Sequence, residues 1–205
     1  MAGKKFTNEE IRKEYDDFSR FYDIFNLPFE YFGLANLRRK LLKEAKGEIL
    51  EVAVGSGRNL PYYSKECRIT AVDFSSNMLK LAKRLAKRRG ISAKFLIGNA
   101  EKLPFKSEKF DFVIDGLGLC TFPNPVKALR EMARVCKKNG KILLLEHGQS
   151  KNKLLSRFQF WREKRRKEFG CSIRDHEDIV KTAGLKIERI TRHFFGIFYL
   201  IVARP

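Results

Sequence analysis

Ten residues, Glu51 to Leu60, read EVAVGSGRNL. A hydrophobic run that ends in closely spaced glycines lets backbone amides approach a polar or anionic ligand, because no Cβ stands in the way. Gly55 and Gly57 supply the first two glycines of a nucleotide loop, but Leu60 and then Pro61 follow where a third glycine would stand. Such glycines also serve as plain turn formers, so the loop gains meaning from what accompanies it. Asp73, closing the run RITAVDF, is placed to accept hydrogen bonds from ribose hydroxyls. Three side chains that could move a proton, Asp115 in FDFVIDG and Glu146 and His147 in KILLLEH, end two further hydrophobic runs. A lone histidine is more often a structural hydrogen-bonder, and His176 and His193 fit that description.

The elements that position these residues follow from periodicity. EILEVAV, RITAVDF, AKFLIGN, FDFVIDG and KILLLEH have strand length and alternate with segments of helical period, the pattern of a parallel sheet with crossover helices. SSNMLKLAKRLAKRRG predicts a helix capped at Ser75 or Ser76, with Met78, Leu81, Ala82 and Leu85 on one face and a stop at Gly90. NPVKALREMARVCKKNG predicts another, with Pro125 in the first turn, a stripe of Val126, Leu129, Met132, Ala133 and Cys136, and a stop at Gly140. After the helix RDHEDIVKTAG come LKIERITRHF and IFYLIVAR, and Phe194–Gly196 leaves no room for a crossover. These two strands must pair antiparallel.

The chain has 205 residues, enough for one α/β domain with a modest appendage. With 43% hydrophobic residues and 18 Phe it is a folded protein rather than a disordered polymer. A formal charge of +19 implies attraction to polyanions, whether nucleic acid, an anionic membrane surface or an acidic partner. Cys67, Cys120, Cys136 and Cys171 form no CxxC pair, so neither a disulfide framework nor a bound metal is expected, and a reducing, cytoplasmic setting is. The N-terminus lacks the apolar core of a signal peptide, and no apolar run approaches a membrane span.

Taken in order, EVAVGSGRN, AVDFSSNML, GNAEKLPF, FDFVIDGLGL and REMARVCKKNGKILLLEHG resemble the class I S-adenosylmethionine-dependent methyltransferases over Glu48 to Pro205. The likeness is greatest to the ubiquinone and menaquinone biosynthesis methyltransferases, through YDDFSRFYDIFN, and to the phospholipid N-methyltransferases, through LEVAVGSGRNLPYY. It implies a doubly wound, Rossmann-like, seven-stranded, mainly parallel sheet with an antiparallel C-terminal hairpin. It also implies S-adenosylmethionine as cofactor and a small or lipophilic acceptor. Carried over residue by residue, Glu51 would orient the methionine ammonium, Gly55 and Gly57 would border the methionine, and Asp73 would hold the ribose. Phe74 or Met78 would pack on the adenine, and Asn99 and Ala100 would meet its edge. Ala53 departs from the family's first glycine. Being still inside the strand, it is expected to need no positive φ. Asn99, where the family often has Asp, is expected to accept through its carbonyl oxygen.

Two segments lie outside this core. Residues 1–46 are aromatic-rich and form a helical lid in which Tyr15 and Tyr22 share a helical face; the same aromatics also suit packing on the sheet edge. The basic insertion 150–169 within the core domain 47–205 carries Leu154, Leu155, Phe158 and Trp161 at helical spacing. The favoured expectation is that this stripe packs onto the substrate pocket; contact with an anionic membrane or with RNA is the alternative. The protein is therefore expected to transfer methyl to a quinone precursor or phospholipid amine. The other readings are RNA methylation or a non-catalytic cofactor-binding module. DGLG in place of an N/D-P-P-Y/F motif, and the lack of a Pro-Cys pair at Cys120, argue against nucleobase acceptors.

Overall fold

Near-continuous apolar runs such as ILLL in the last parallel strand make a sheet that is greasy on both faces, and helices must cover both. The computed structural model describes residues 7–29, 33–150, 152–165 and 174–205. The strands are β1 (Gly47–Val52), β2 (Cys67–Asp73), β3 (Ala93–Ile97), β4 (Phe110–Gly116), β5 (Cys136–His147), β6 (Lys186–His193) and β7 (Phe198–Arg204). They lie in the order β3-β2-β1-β4-β5-β7-β6. β1 to β5 are parallel, while β7 runs antiparallel to both β5 and β6, with His193 opposite Phe198. The doubly wound sheet with its closing hairpin is therefore as the sequence implied.

Leu50, Val52, Val113, Ile142 and Leu144 point to one core, and Ile49, Ile114, Leu143 and Leu145 to the other. Helices α4 (Pro125–Val135) and α6 (His176–Thr182) close the first; α2 (Ala35–Leu42) and α3 (Ser76–Arg89) close the second. Helix α1 (Asn8–Phe29) precedes this core, and α5 (Lys153–Arg165) occupies the insertion.

Helix ends obey local chemistry. The Ser75 hydroxyl accepts from Met78 N, and Gly90 ends α3 at φ 65°, a conformation glycine adopts without strain. The buried stripe of α3 is rotated from expectation: Met78, Leu79, Ala82 and Ala86 are inside, while Leu81 and Leu85 are half-buried. The helix expected to reach Gly140 stops at Val135, because β4 captures the residues around its end. Glu108 N and Lys109 N donate to Arg134 O and Val135 O, both at 2.9 Å, and Lys137 Nζ meets Asp111 Oδ1 at 2.6 Å. Gly140 is a close approach within β5, since a Cβ there would stand 2.7 Å from Asp111 O.

Of the stripe on α5, Leu154 and Trp161 are exposed and stand off the pocket wall. The Ser156 and Gln159 side chains of α5 bond to Gln149, Gly148 and Ser150, whereas Leu154 is 80% and Trp161 52% exposed on the opposite side. These three polar hydrogen bonds set the side of the helix that meets the linker 148–150.

Ala53 also departs from expectation. β1 ends at Val52, and Ala53 has φ 51°, where a Cβ crowds the following carbonyl at about 1–2 kcal/mol. Gly118 makes room for that methyl: a Cβ at Gly118 would come within 2.8 Å of Ala53 Cβ and 2.4 Å of Asp115 Oδ1. Ala53→Gly should therefore stabilise the protein by about 1 kcal/mol, raising its melting temperature by about 2–4 °C. A lower melting temperature by calorimetry would mean that the methyl's packing outweighs its strain.

Candidate cofactor site

Beyond Val52 the chain turns tightly, with Gly57 N donating to Val54 O at 2.9 Å and Leu60 N to Gly57 O at 3.0 Å. The two glycines do different work. A Cβ on Gly57 would strike Leu60 Cδ1 at 2.8 Å and Ala82 Cα at 3.1 Å, so this glycine lets α3 approach the loop. At Gly55, with φ 56°, a Cβ would meet nothing closer than 3.8 Å. Such a Cβ would make only ordinary contact, with Met78 Cε at 3.8 Å and Ala53 O at 3.9 Å, so the left-handed φ rather than crowding is what favours glycine here.

Asp73 clamps this loop. Its carboxylate accepts from Gly55 N at 2.8 Å and from Ser75 N at 2.9 Å, and the residue is 4% exposed. Burial pushes its pKa up to about 6, against the opposing pull of the amides of Ser75, Gly55 and Phe74. Glu51, 2% exposed at the end of β1, is pushed up to about 7 by burial. The Tyr63 hydroxyl and Asn59 side chain, outside ideal hydrogen-bond geometry, draw it back, as does the charge of Arg38. Among the described residues Glu51 Oε2 has no hydrogen-bond partner. A buried carboxylate oxygen without a donor is the signature of a site built to receive one, and an ammonium would supply it.

Above Asp73 lies a pocket lined by Val52, Ala53, Val72, Phe74, Gly98, Asn99, Ala100, Thr121–Pro123 and, from α1, Asn8 and Ile11. Five of the residues singled out in the sequence thus meet here: Ala53, Asp73, Phe74, Asn99 and Ala100. Glu51 and Gly55 sit beside them. Met78, 1% exposed, lies beneath Gly55 as core rather than on the pocket wall. Asn99 Oδ1 accepts from Glu101 N at 2.8 Å, so its carbonyl oxygen holds the loop and its NH₂ is left to meet a ligand. Tyr15 packs edge-on against Phe74 at 6.0 Å, and the Tyr22 side chain falls outside the described residues.

The three proton-moving candidates are not on the wall of this pocket. Asp115 and Glu146 are fully buried together, with Glu146 Oε1 accepting from Leu119 N at 3.2 Å. Burial raises the Asp115 pKa. His147 is half-buried at the end of β5, and its carbonyl meets His176 Nε2 at 2.8 Å. His176 is entirely buried, and burial lowers its pKa to about 4, so it stays neutral.

Two residues escaped the sequence reading. Arg38 is 4% exposed and donates to Asn59 Oδ1 at 2.6 Å, placing a guanidinium behind the loop. Its signal was present: Leu34, Leu37, Arg38 and Leu41 form one helical face, so an arginine sits within an apolar stripe. Asp16 on α1 accepts from the Ser75 hydroxyl and from Asn77 N at 3.2 Å, which pins α1 to the N-terminus of α3. A carboxylate there is also favoured by the helix dipole.

Residues 50–144 match the methyltransferase domain family. The fold and this site define the chain's class: it carries a class I S-adenosylmethionine-dependent methyltransferase domain, whose cofactor is S-adenosylmethionine. Among curated proteins it is similar to the mitochondrial methyltransferase OMS1 of Saccharomyces cerevisiae, at 29% identity over 96% of this chain and 45% of that one. It is 36% identical to a phosphatidylethanolamine N-methyltransferase of Cereibacter sphaeroides over 49% of this chain and 51% of the relative. It is 35% identical to a demethylmenaquinone methyltransferase of Renibacterium salmoninarum over 67% and 59%. The chain thus spans about half the length of the curated relatives it matches. Among solved structures, a SAM-dependent methyltransferase from Aquifex aeolicus shares the fold with a TM-score of 0.65 at 20% identity, covering 97% of this chain and 98% of that one. The [4+2]-cyclase SpnF shares it at 0.68 and 18%, over 83% and 79%.

The site also sets a pH dependence. Glu51 ionises near pH 7 in the fold but near 4.5 when unfolded, so its burial costs nothing at low pH and costs progressively more as pH rises through that window. Glu51→Gln should therefore match the parent's stability near pH 4. Without ligand it should exceed it by an order of 2–3 kcal/mol near pH 8. Denaturant titrations of both proteins at the two pH values measure this difference; a constant offset would show that Glu51 is not the group that titrates.

Proposed function

We propose that this protein transfers the methyl group of S-adenosylmethionine to a small lipophilic acceptor, a quinone precursor or a phospholipid amine. One observation carries the cofactor half: a glycine turn clamped by Asp73 lies beside a buried Glu51 oxygen that lacks a donor, under an apolar pocket. In this reading Asp73 holds the ribose hydroxyls, Glu51 the ammonium and Arg38 the carboxylate of the methionine. Phe74 and Ile11 sandwich the base, while the Asn99 NH₂ meets its edge. The names of the quinone and phospholipid relatives support the acceptor class.

When bound, the sulfonium supplies an activated methyl group whose bonding electrons return to sulfur as an incoming lone pair takes the carbon. The protein's task is then alignment and exclusion of water. Asp73 is the one ionisable side chain on the pocket wall among the described residues, so that wall offers no separate proton acceptor. We assign Asp115 and Glu146 to holding the loop after β4 through Leu119 N. His147, half-buried at the end of β5, is the candidate proton acceptor for acceptors that must lose a proton.

Two measurements test this reading. Calorimetry should show S-adenosylmethionine binding, weakened at least about tenfold in Asp73→Asn, which keeps the residue's shape but loses the charge. Unchanged affinity would refute the ribose assignment. Labelled donor incubated with fractionated cell extract should label the lipid fraction; label in total RNA would support the RNA reading, and label nowhere a binding module. For a hydroxyl acceptor, His147→Gln should lower turnover by about a hundredfold with donor affinity intact.

A further inference from the structure

Two apolar features face outward at one root. The linker after β5 anchors both: Gln149 and Ser150 bond to Ser156 and Gln159 of α5, and the Ser150 hydroxyl donates to Phe195 O in the turn between β6 and β7. From this root α5 holds Leu154 and Trp161 on its far side. Leu154 and Trp161 are seven residues apart, so they share one helical face.

The turn is unusual in its own right. Phe194, Phe195 and Gly196 have φ of 52°, 58° and 79°, three left-handed residues in succession, two of them phenylalanine. Asn, Asp or Gly adopt that region readily, whereas phenylalanine does so only against a steric clash of its Cβ. Phe194 recovers part of this by packing on Phe198 at 5.7 Å. Phe195 recovers none within the described structure, for its ring is 84% exposed. Strain that projects an apolar ring into solvent, with no burial to offset it, points to a partner outside the chain.

Charge identifies that partner. Residues 151–167 contain eight lysines and arginines against one glutamate, and Lys153 and Arg157 are exposed on α5 itself. At the turn, burial first and then the nearby charge of Lys40 on α2 lower the pKa of His193, which places a further cation beside it. Exposed aromatic and aliphatic side chains ringed by cations suit a bilayer interface with anionic headgroups. RNA would use the same cations, but it gives no reason for a leucine and a strained phenylalanine to project.

We propose that the Leu154–Trp161 face of α5 and the Phe194–Gly196 turn insert into the surface of an anionic lipid bilayer and seat the enzyme on it. This reaches beyond the catalytic reading and requires no particular acceptor.

Trp161 is the sole tryptophan of the chain, so its fluorescence reports on insertion directly. The full-length protein should sediment with vesicles of phosphatidylcholine and phosphatidylglycerol, and its emission should shift to the blue. Vesicles of phosphatidylcholine alone should bind it far less. Phe195→Asn and, separately, Leu154→Asp should each weaken binding to the anionic vesicles at least about tenfold. Phe195→Asn should melt no lower than the parent, since asparagine accepts the left-handed turn. Its affinity for S-adenosylmethionine should be unchanged, which separates failure here from failure of the cofactor assignment. The proposal falls if neither variant loses binding. It falls equally if salt releases the protein while its emission never moves, or if RNA shifts the emission and anionic vesicles do not.

Discussion

The carboxylate of Asp73 is the point at which three elements meet. It accepts from the amide of Gly55 in the loop after β1 and from that of Ser75 at the start of α3, and it closes β2 itself. Ser75 carries the connection onward: its hydroxyl accepts from Met78 N and donates to Asp16 on α1. Two backbone donors do not fully offset the cost of burying a charge, which is why Asp73 still titrates near 6. Hydroxyl donors from a ribose would complete the solvation of the carboxylate and hold it ionised. The carboxylate that shapes the loop is therefore one whose ionised form any further donor would favour.

Strain gathers where the sheet reverses its winding. The order β3-β2-β1-β4-β5 places that reversal between β1 and β4, and the residues just past these strands, Ala53 at φ 51° and Leu117 at φ 69°, are both left-handed. Such crevices at the carboxyl ends of the strands are where open α/β sheets bind ligands. Ala53 is tolerated because Gly118 yields space, so the departure from a glycine in one loop is matched by a glycine in the other.

The legible parts of the chain were those whose cause is local. FDFVIDG is β4 residue for residue, since alternation, β-branched content and flanking polar residues all lie within the strand. Ser75 and Gly90 mark α3 because capping is a property of adjacent residues. Features with distant causes were missed. Lys137 leaves the helical pattern to reach Asp111 in β4; Arg38 depends on Asn59, and Asp16 on Ser75. In each case the deciding partner stands more than 20 residues away. At α5 the exposure of Leu154 and Trp161 was likewise not legible, because Ser156 and Gln159 on the other side find their partners in the linker 148–150.

A fold shared with a [4+2]-cyclase does not by itself fix a reaction. The walls of the pocket come from the ends of β1 and β2 and the loops after β1 to β4, while its roof comes from α1 through Asn8 and Ile11. That roof is held at α3 by Asp16 and by Asn77 Nδ2 donating to Asp16 O at 3.3 Å, and at the pocket edge by Tyr15 against Phe74. The contacts at α3 are polar, and neither Asp16 nor Asn77 belongs to the two hydrophobic cores. Ser75 belongs to both the clamp and the latch. The loop clamped by Asp73 and the seating of α1 over the pocket are thereby joined through one serine.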